Sequence, residues 1–392
     1  MRKKLKKKIT SIILMAAIAA TSFRVADVNS STIETNVVNA ATTYNSKLEY
    51  TFKNLPINRV VQNFFIDTVN NRIYATMIRP EVNDHEDTLL IQCNITNSSN
   101  GLVATAKSFL LIKEGGHGTS LSGYYDNNNN LKLYIGCNNG KAISLIDASV
   151  LNKTGINNKN VNYYDATSKS WKTADGTEIA KSTPPLQDAC YYTLSKKVTN
   201  FGKLCSGTKE EFDRADFVRA SDGKAYIYVR YIKSNTKYLK IIRLSANSAD
   251  ATGLSDFDKA VAKQTTNIPV TDYVKATTYN AKMETSINVT GIKNLWQSED
   301  VYMSSLKNRS FYLSTNTKTG DKLIIRRLPV GNISGYTYRV NGVTQKGQTV
   351  SEEEIEGIHR EGKKIYFNHK VTYNKDTNAE KKVQTIESIT IE

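Results

Sequence analysis

Ser351–Asn368 reads SEEEIEGIHREGKKIYFN. The stretch starts acidic, passes through a short apolar run, turns at a Gly flanked by charges, and ends in a second apolar run containing Tyr366. Its apolar residues alternate instead of recurring at helical spacing, which predicts two short strands joined by a tight turn. The same pattern occurs four more times upstream. The copies are VVQNFFIDTVNNRIY ending at Tyr74, HGTSLSGYYDNNNNLKLY at Tyr134, EEFDRADFVRASDGKAY at Tyr226 and NLWQSEDVYMSSLKNRSFY at Tyr312. Anchored on the second-strand tyrosine, successive copies are 60, 92, 86 and 54 residues apart. These intervals approach the length of a four-stranded unit with its loops, so the expected fold is all-β, a five-bladed β-propeller over residues 47–392.

Composition agrees with the all-β class. Tyr, Thr, Asn and Ile are abundant, and Asn127–Asn130 marks a turn. Further strand candidates are Thr88–Ile95, Lys107–Ile112, Leu239–Leu244 and Lys322–Leu328. One minor helix is expected at Ser255–Gln264, where Phe257, Ala260 and Val261 share a face. Lys47–Phe52 (KLEYTF) and Val383–Glu392 (VQTIESITIE) are both strand-like, and their pairing would close the ring. A pair of β-sandwiches is the alternative fold, but it leaves the fivefold hairpin unexplained.

Residues 1–40 read as a cleavable export signal. Arg2–Lys8 is a basic n-region, Ile12–Ala20 is an apolar run short for a bilayer, and Val38-Asn39-Ala40 suits cleavage before Ala41. Cleavage near Ala26 and an uncleaved anchor are the competing readings. Residues 41–46 are expected to be a short linker, and the mature chain a secreted, extracellular monomer with no integral membrane span. The whole chain carries +16 at pH 7; residues 1–40 hold seven Lys/Arg and two acids, net +5, which leaves +11. That charge suits a solvated surface or a polyanionic envelope partner, by attraction that salt screens. The export signal argues against nucleic acid. Cys93, Cys137, Cys190 and Cys205 permit three pairings outside a cell, or stand as buried thiols, and none has the spacing of a zinc site.

Candidate site residues come from the first strand of each hairpin, about twelve positions before the anchor tyrosine. They are Gln62, Ser122, Arg214, Glu299 with Asp300, and Glu354 with Glu356 just beyond. In a propeller these groups converge near one mouth of the channel, either to bind a ligand or to hydrogen-bond one another. Gly115-Gly116-His117-Gly118 lacks the Lys-Ser/Thr of a phosphate loop, and its glycines place His117 at that mouth as a ligand donor, base or structural histidine. Asp126–Asn130 lacks the Gly and Glu of a calcium loop and reads as a turn. Asp84-His85-Glu86-Asp87 reads as a solvated polar cluster, and Trp171 and Trp296 as blade packing or sugar-stacking platforms. No hydrolase, metalloprotease or Cys/His nucleophile motif is present, so no metal or cofactor is expected.

The same hairpins resemble the helveticin J family of large bacteriocins of lactobacilli, over about residues 55–392. The resemblance is carried by Gly115-Gly116-His117 leading into a strand, by Glu354-Ile355-Glu356-Gly357-Ile358 followed by Lys364-Ile365-Tyr366-Phe367, and by Gln384–Ile389. Blade three departs from the family with Asp213-Arg214. The resemblance implies a secreted antibacterial protein that recognises a wall polymer, teichoic acid or glycan, on related Gram-positive cells. Two other functions stand beside it: a phosphodiesterase of teichoic acid using His117 as base, and a non-lytic glycan-binding adhesin. A non-enzymatic role is the leading expectation.

Overall fold

The computed structural model describes residues 42–80, 86–99, 101–112, 116–125, 129–137, 142–152, 163–165, 167–172, 177–179, 191–192, 197–198, 210–219, 225–233, 236–245, 280–288, 295–303, 309–315, 323–329, 336–374 and 381–391. Contacts divide the chain into Met1–Val37 and Val38–Glu392, and every described residue belongs to the second unit. The expected export segment, the expected helix at 255–264, and Cys190 and Cys205 lie outside the described residues. Among the described residues no helix is long and apolar enough to cross a membrane.

Two short strands, β1 (Thr42–Asn45) and β2 (Lys47–Lys53), precede a meander of β3 (Val61–Asp67), β4 (Arg72–Pro80), β5 (Glu86–Ser98) and β6 (Gly101–Ile112). Then come β7 (Leu121–Tyr125), β8 (Leu131–Cys137) and β9 (Ala142–Asp147), with a 3-10 turn at Ala148–Asn152. Five short pieces follow: β10 (Tyr163–Asp165), β11 (Ser170–Lys172), β12 (Glu178–Ile179), β13 (Tyr191–Tyr192) and β14 (Lys197–Val198). The third meander is β15 (Glu210–Arg219), β16 (Ala225–Lys233), β17 (Thr236–Ser245) and β18 (Asn280–Asn288). The fourth is β19 (Leu295–Met303), β20 (Arg309–Thr315), β21 (Leu323–Pro329) and β22 (Tyr336–Asn341). The chain ends with β23 (Val350–Glu361), β24 (Lys364–Tyr373) and β25 (Lys381–Thr390).

All five expected hairpins are antiparallel ladders: β3–β4, β7–β8, β15–β16, β19–β20 and β23–β24. In the last one Gly362 takes φ 54° in a two-residue turn, a left-handed conformation that Gly adopts without strain. The leading strands neighbour one another in the succession β3, β7, β15, β19, β23 and back to β3. The ends of the chain also pair as expected, β2 running antiparallel to β25.

The expectation of a five-bladed propeller is overturned by the sheet connectivity. Hairpins one and five are not separate blades. They share one sheet in the order β23-β24-β25-β2-β6-β5-β4-β3, with β13 attached to β6. The remaining described strands form a five-stranded sheet β1-β22-β21-β20-β19, two four-stranded sheets β14-β9-β8-β7 and β15-β16-β17-β18, and the small β10-β11-β12. The cause is β2, which pairs antiparallel with β25 on one edge and parallel with β6 on the other. At the opposite ends of this long sheet β3 and the β23–β24 hairpin come back together: Asn368 Nδ2 on β24 donates to the Val61 carbonyl at 2.6 Å, and a Cβ on Gly357 of β23 would sit 3.1 Å from Asn63 Cα. The sheet is thus nearly closed into a barrel. Within the expected linker at 41–46, Thr42–Asn45 pairs in parallel with Tyr338–Asn341.

The central strands of the long sheet are buried on both faces, which is why they read as continuous apolar runs. Ile73, Ala75, Met77, Leu89 and Ile91 pack on one face with Phe52, Phe64 and Ile386. Tyr74, Leu90 and Leu110 pack on the other with Leu121, Leu133 and Ile135 of the β7–β9 sheet. A third core joins Tyr312, Leu323, Ile325 and Tyr338 to Ile355, Ile365, Phe367 and Ile389, so β23–β25 lie against the five-stranded sheet. Full burial of each such Leu or Ile side chain contributes about 1.5–3 kcal/mol.

Candidate functional site

The twelve-residue offset from the anchor tyrosine does not define one structural level. Ser122 and Asp300 stand directly opposite their anchors, Tyr134 and Tyr312. In the other hairpins that place is taken by Phe65, Val218 and His359. Gln62, Arg214, Glu354 and Glu356 lie earlier along their strands, because the turns between strands differ in length. The seven expected residues that lie on these strands therefore split into two levels. Glu299 pairs with Leu313 and Arg214 with Arg230, which fixes their strand positions alone.

The earlier level is marked by β-bulges. Register shifts occur at Val61/Asn63, Phe212/Arg214, Leu295/Glu299 and Ile355/Ile358, leaving Gln62, Asp213 and Glu356-Gly357 as extra residues. A bulge re-aims a side chain that regular pleating would send elsewhere. At β23 it turns Glu356 inward beside Glu354. Lys370 on β24 stands opposite Glu354, with Nζ 2.7 Å from Glu354 Oε1 and 3.6 Å from Glu352 Oε2. Side-chain exposure falls along the row, from 32% at Glu352 to 15% at Glu354, and Glu356 as a whole is 3% exposed.

Three carboxyls thus face one ammonium. Burial, with a hydrogen bond to Glu354 and its charge, pushes the Glu356 carboxyl up to about 9. Glu356 is therefore a neutral acid at pH 7. Its Oε2 is buried with no hydrogen-bond partner, and the carboxyl shares a hydrogen bond with Glu354. Burial opposes the charge of Lys370, but Glu354 and Glu352 outweigh it and raise the ammonium above its ordinary value.

Residues 116–121 are held over β3–β5 by side chains from those strands. Asn63 Nδ2 donates to the Thr119 carbonyl at 2.8 Å, Thr76 Oγ1 to the Gly118 carbonyl at 2.5 Å, and Thr88 Oγ1 to the Gly116 carbonyl at 2.8 Å. A Cβ on Gly118 would lie 3.7 Å from Gln62 Cβ, so this segment borders the earlier level. His117 itself points outward, more than half exposed, with Nδ1 3.0 Å from Glu86 Oε2. Asp84 and His85 lie outside the described residues. Among the described residues, no three His, Cys, Asp or Glu side chains gather as a metal site.

Sequence reasoning missed a second cluster, at the level of Asp300. Asp300, Tyr312, Arg327 and Tyr336 are successive cross-strand partners from β19 to β22. Arg360 reaches over from β23, its guanidinium 5.1 Å from the Tyr302 ring centroid and 5.0 Å from that of Tyr312, and Nη1 donates to the Tyr312 hydroxyl. Arg327 lies 5.4 Å from the Tyr336 centroid, and its Nε donates to Ser310 Oγ at 3.2 Å. Asp300 is occupied elsewhere: Oδ1 accepts from its neighbour's N–H, Val301, at 2.8 Å, and Oδ2 accepts the Arg360 backbone N–H at 2.5 Å. Arg and Tyr two residues apart on facing strands give no signal in a linear sequence.

No protein-family model matches the chain, and no curated protein matches it. Among solved structures it is similar to the polysaccharide lyase Uly1, at 10% identity and a TM-score of 0.31 over 88% of this chain and 93% of the other. It is similar at the same identity and TM-score to a subtype N10 neuraminidase-like protein of A/little yellow-shouldered bat/Guatemala, over 88% of this chain and 99% of that one. Likeness at this level carries no argument on function. These comparisons give no support to the expected identity as a helveticin-type bacteriocin.

Proposed function

We propose that the protein works outside the cell as a non-lytic binder of a glycan-containing polymer, and that the carboxyl row of β23 with Lys370 is its sugar-hydroxyl site. One observation supports this above the rest: Glu352, Glu354 and Glu356 run from solvent inward on one strand with a single ammonium among them. Vicinal hydroxyls both donate and accept, and this row offers carboxylate acceptors beside Lys370 as a donor. Charge-assisted hydrogen bonds of this kind are about twice as strong as neutral ones.

Hydrolytic readings draw less support. Glu356 and Glu354 hydrogen-bond each other, whereas the two carboxyls of a glycosidase stand about 5–9.5 Å apart. The His117 ring expected to act as the base of a phosphodiesterase is paired with Glu86 at the surface.

The test is titration of the purified full chain with soluble dextran and with a neutral wall-glycan digest. Binding of a neutral glycan by the wild type, with about tenfold weaker affinity for Glu354→Gln, is expected. Equal affinity in Glu352→Gln and Glu354→Gln would sink the reading. New reducing ends, lost in Glu356→Gln, would replace binding by hydrolysis.

A further inference from the structure

We propose that the Arg327–Arg360–tyrosine cluster is a second binding site, one that takes an anionic group, phosphate or carboxylate, carried on a sugar or polyol chain. It goes beyond the carboxyl row: the residues are different, and it assigns a charge class to the ligand. A guanidinium in a folded protein ordinarily finds a carboxylate, yet among the described residues neither Arg327 nor Arg360 is ion-paired. Asp300, the carboxylate beside them among the described residues, has both oxygens engaged by backbone N–H groups, with His359 Nδ1 3.8 Å from Oδ2.

The two guanidinium groups are nevertheless held in place. Arg360 is fixed by Tyr302 and Tyr312 and by Nε donating to the Gly362 carbonyl at 2.5 Å. Arg327 is fixed by Tyr336, by Ser310 and by a hydrogen bond with the Tyr338 hydroxyl. These bonds use Nε of both arginines, Nη1 of Arg360 and a second donor of Arg327, and they leave further N–H donors on both arginines. Two oriented forks with open donors match an anionic oxygen cluster.

The rim supplies the rest of the ligand. Tyr302 and Tyr336 are 39% and 52% exposed, two of the four exposed large apolar side chains among the described residues. Exposed tyrosines beside arginines fit a ring or polyol carrying the charge, since an aromatic face packs on C–H surfaces. A membrane surface fits less well, because among the described residues no amphipathic helix and no cluster of exposed aliphatic side chains adjoins the site. The net charge, +16 for the whole chain and +11 without residues 1–40, adds long-range attraction for a polyanion.

The experiment titrates the purified full chain with polyglycerol phosphate and with uncharged dextran at low and high salt. A preference for the phosphate polymer is expected, falling as salt rises. Arg360→Gln and Arg327→Gln should each reduce that preference about tenfold. Tyr302→Ala, at an exposed position, should reduce it a few-fold while keeping the wild-type melting curve, and so decides the matter should an arginine variant misfold. Equal binding of both polymers by the wild type overturns the proposal. So does an unchanged preference in folded Arg327→Gln and Tyr302→Ala, or binding to phosphatidylglycerol vesicles without binding to the soluble polymer. Failure of the carboxyl row shows in dextran binding; failure here shows only in the increment that phosphate adds.

Discussion

His369 and Lys370 are neighbours on β24 and project to opposite faces of the strand, into two buried polar clusters of different character. On one face His369 Nδ1 donates to Glu387 Oε1 at 2.7 Å, and the carboxylate is completed by Thr385 Oγ1 at 2.9 Å, Ser46 Oγ at 2.5 Å and the Val343 N–H at 2.9 Å. Four donors meet four lone pairs. Burial alone would raise Glu387, but His369, Ser46 and Val343 hold it below the ordinary carboxylate value. On the other face Lys370 meets an excess of carboxyls, and one of them stays neutral with an oxygen unsatisfied. Burial of polar groups therefore does not mark a binding site by itself. A cluster whose carboxylate is fully hydrogen-bonded ties strands together, here β24 and β25 with the segment joining β1 to β2, even though His369 Nε2 is buried without a hydrogen-bond partner; one left over-supplied with acceptors retains capacity for a ligand.

The comparison breaks most visibly at Glu387. Its replacement by Ala should destabilise the protein by about 3–5 kcal/mol in urea unfolding, because His369 and three other donors lose their acceptor. The stabilisation from the depressed Glu387 carboxyl is present above pH 4.5 and is lost as pH falls through its folded value. A loss below 1 kcal/mol would place the network among incidental contacts.

Next in size is Gly342→Ala, since a Cβ there would overlap the His369 ring. A cost of about 1–3 kcal/mol is expected from the displaced imidazole. Unchanged stability would mean that the ring moves freely, contrary to the contrast drawn here.

Glu356→Gln sharpens the other side. Between pH 4.5 and about 9 the folded protein holds a proton that the unfolded chain releases, so stability falls as pH rises through that window. The variant has no such proton, and its stability relative to wild type should improve from pH 5 to pH 9 by roughly tenfold or more in the folding equilibrium. Parallel pH profiles would show Glu356 ionised in the folded state.

The smallest effect concerns Cys93, a free and buried thiol that desolvation pushes up to about 12. It should resist thiol reagents at pH 8 until the chain unfolds. Modification of Cys93 in the native protein, located by mass spectrometry, would contradict its place in the core.

Much of the local structure was legible. The alternation in Val60–Tyr74 and Glu352–Tyr366 located hairpins whose ladders are present, and Gly362 marked a turn that needs a left-handed residue. The site was legible only in part. In the sequence Gln62 and Glu356 are only polar residues on a leading strand, and their special positions come from bulges that no spacing rule reveals. Nothing in the sequence distinguishes Arg360, since its importance lies in rings contributed by residues about fifty positions upstream, Tyr302 and Tyr312.

By itself the sequence determined the all-β class, the five hairpins and the pairing of the chain's two ends, because period-two alternation and turn chemistry act over a few residues. Tertiary structure alone decided that β2 fuses the first and last hairpins into one nearly closed sheet, and which polar groups are satisfied. Both depend on which strand edge is open and which side chain arrives across it, quantities set by packing at long range.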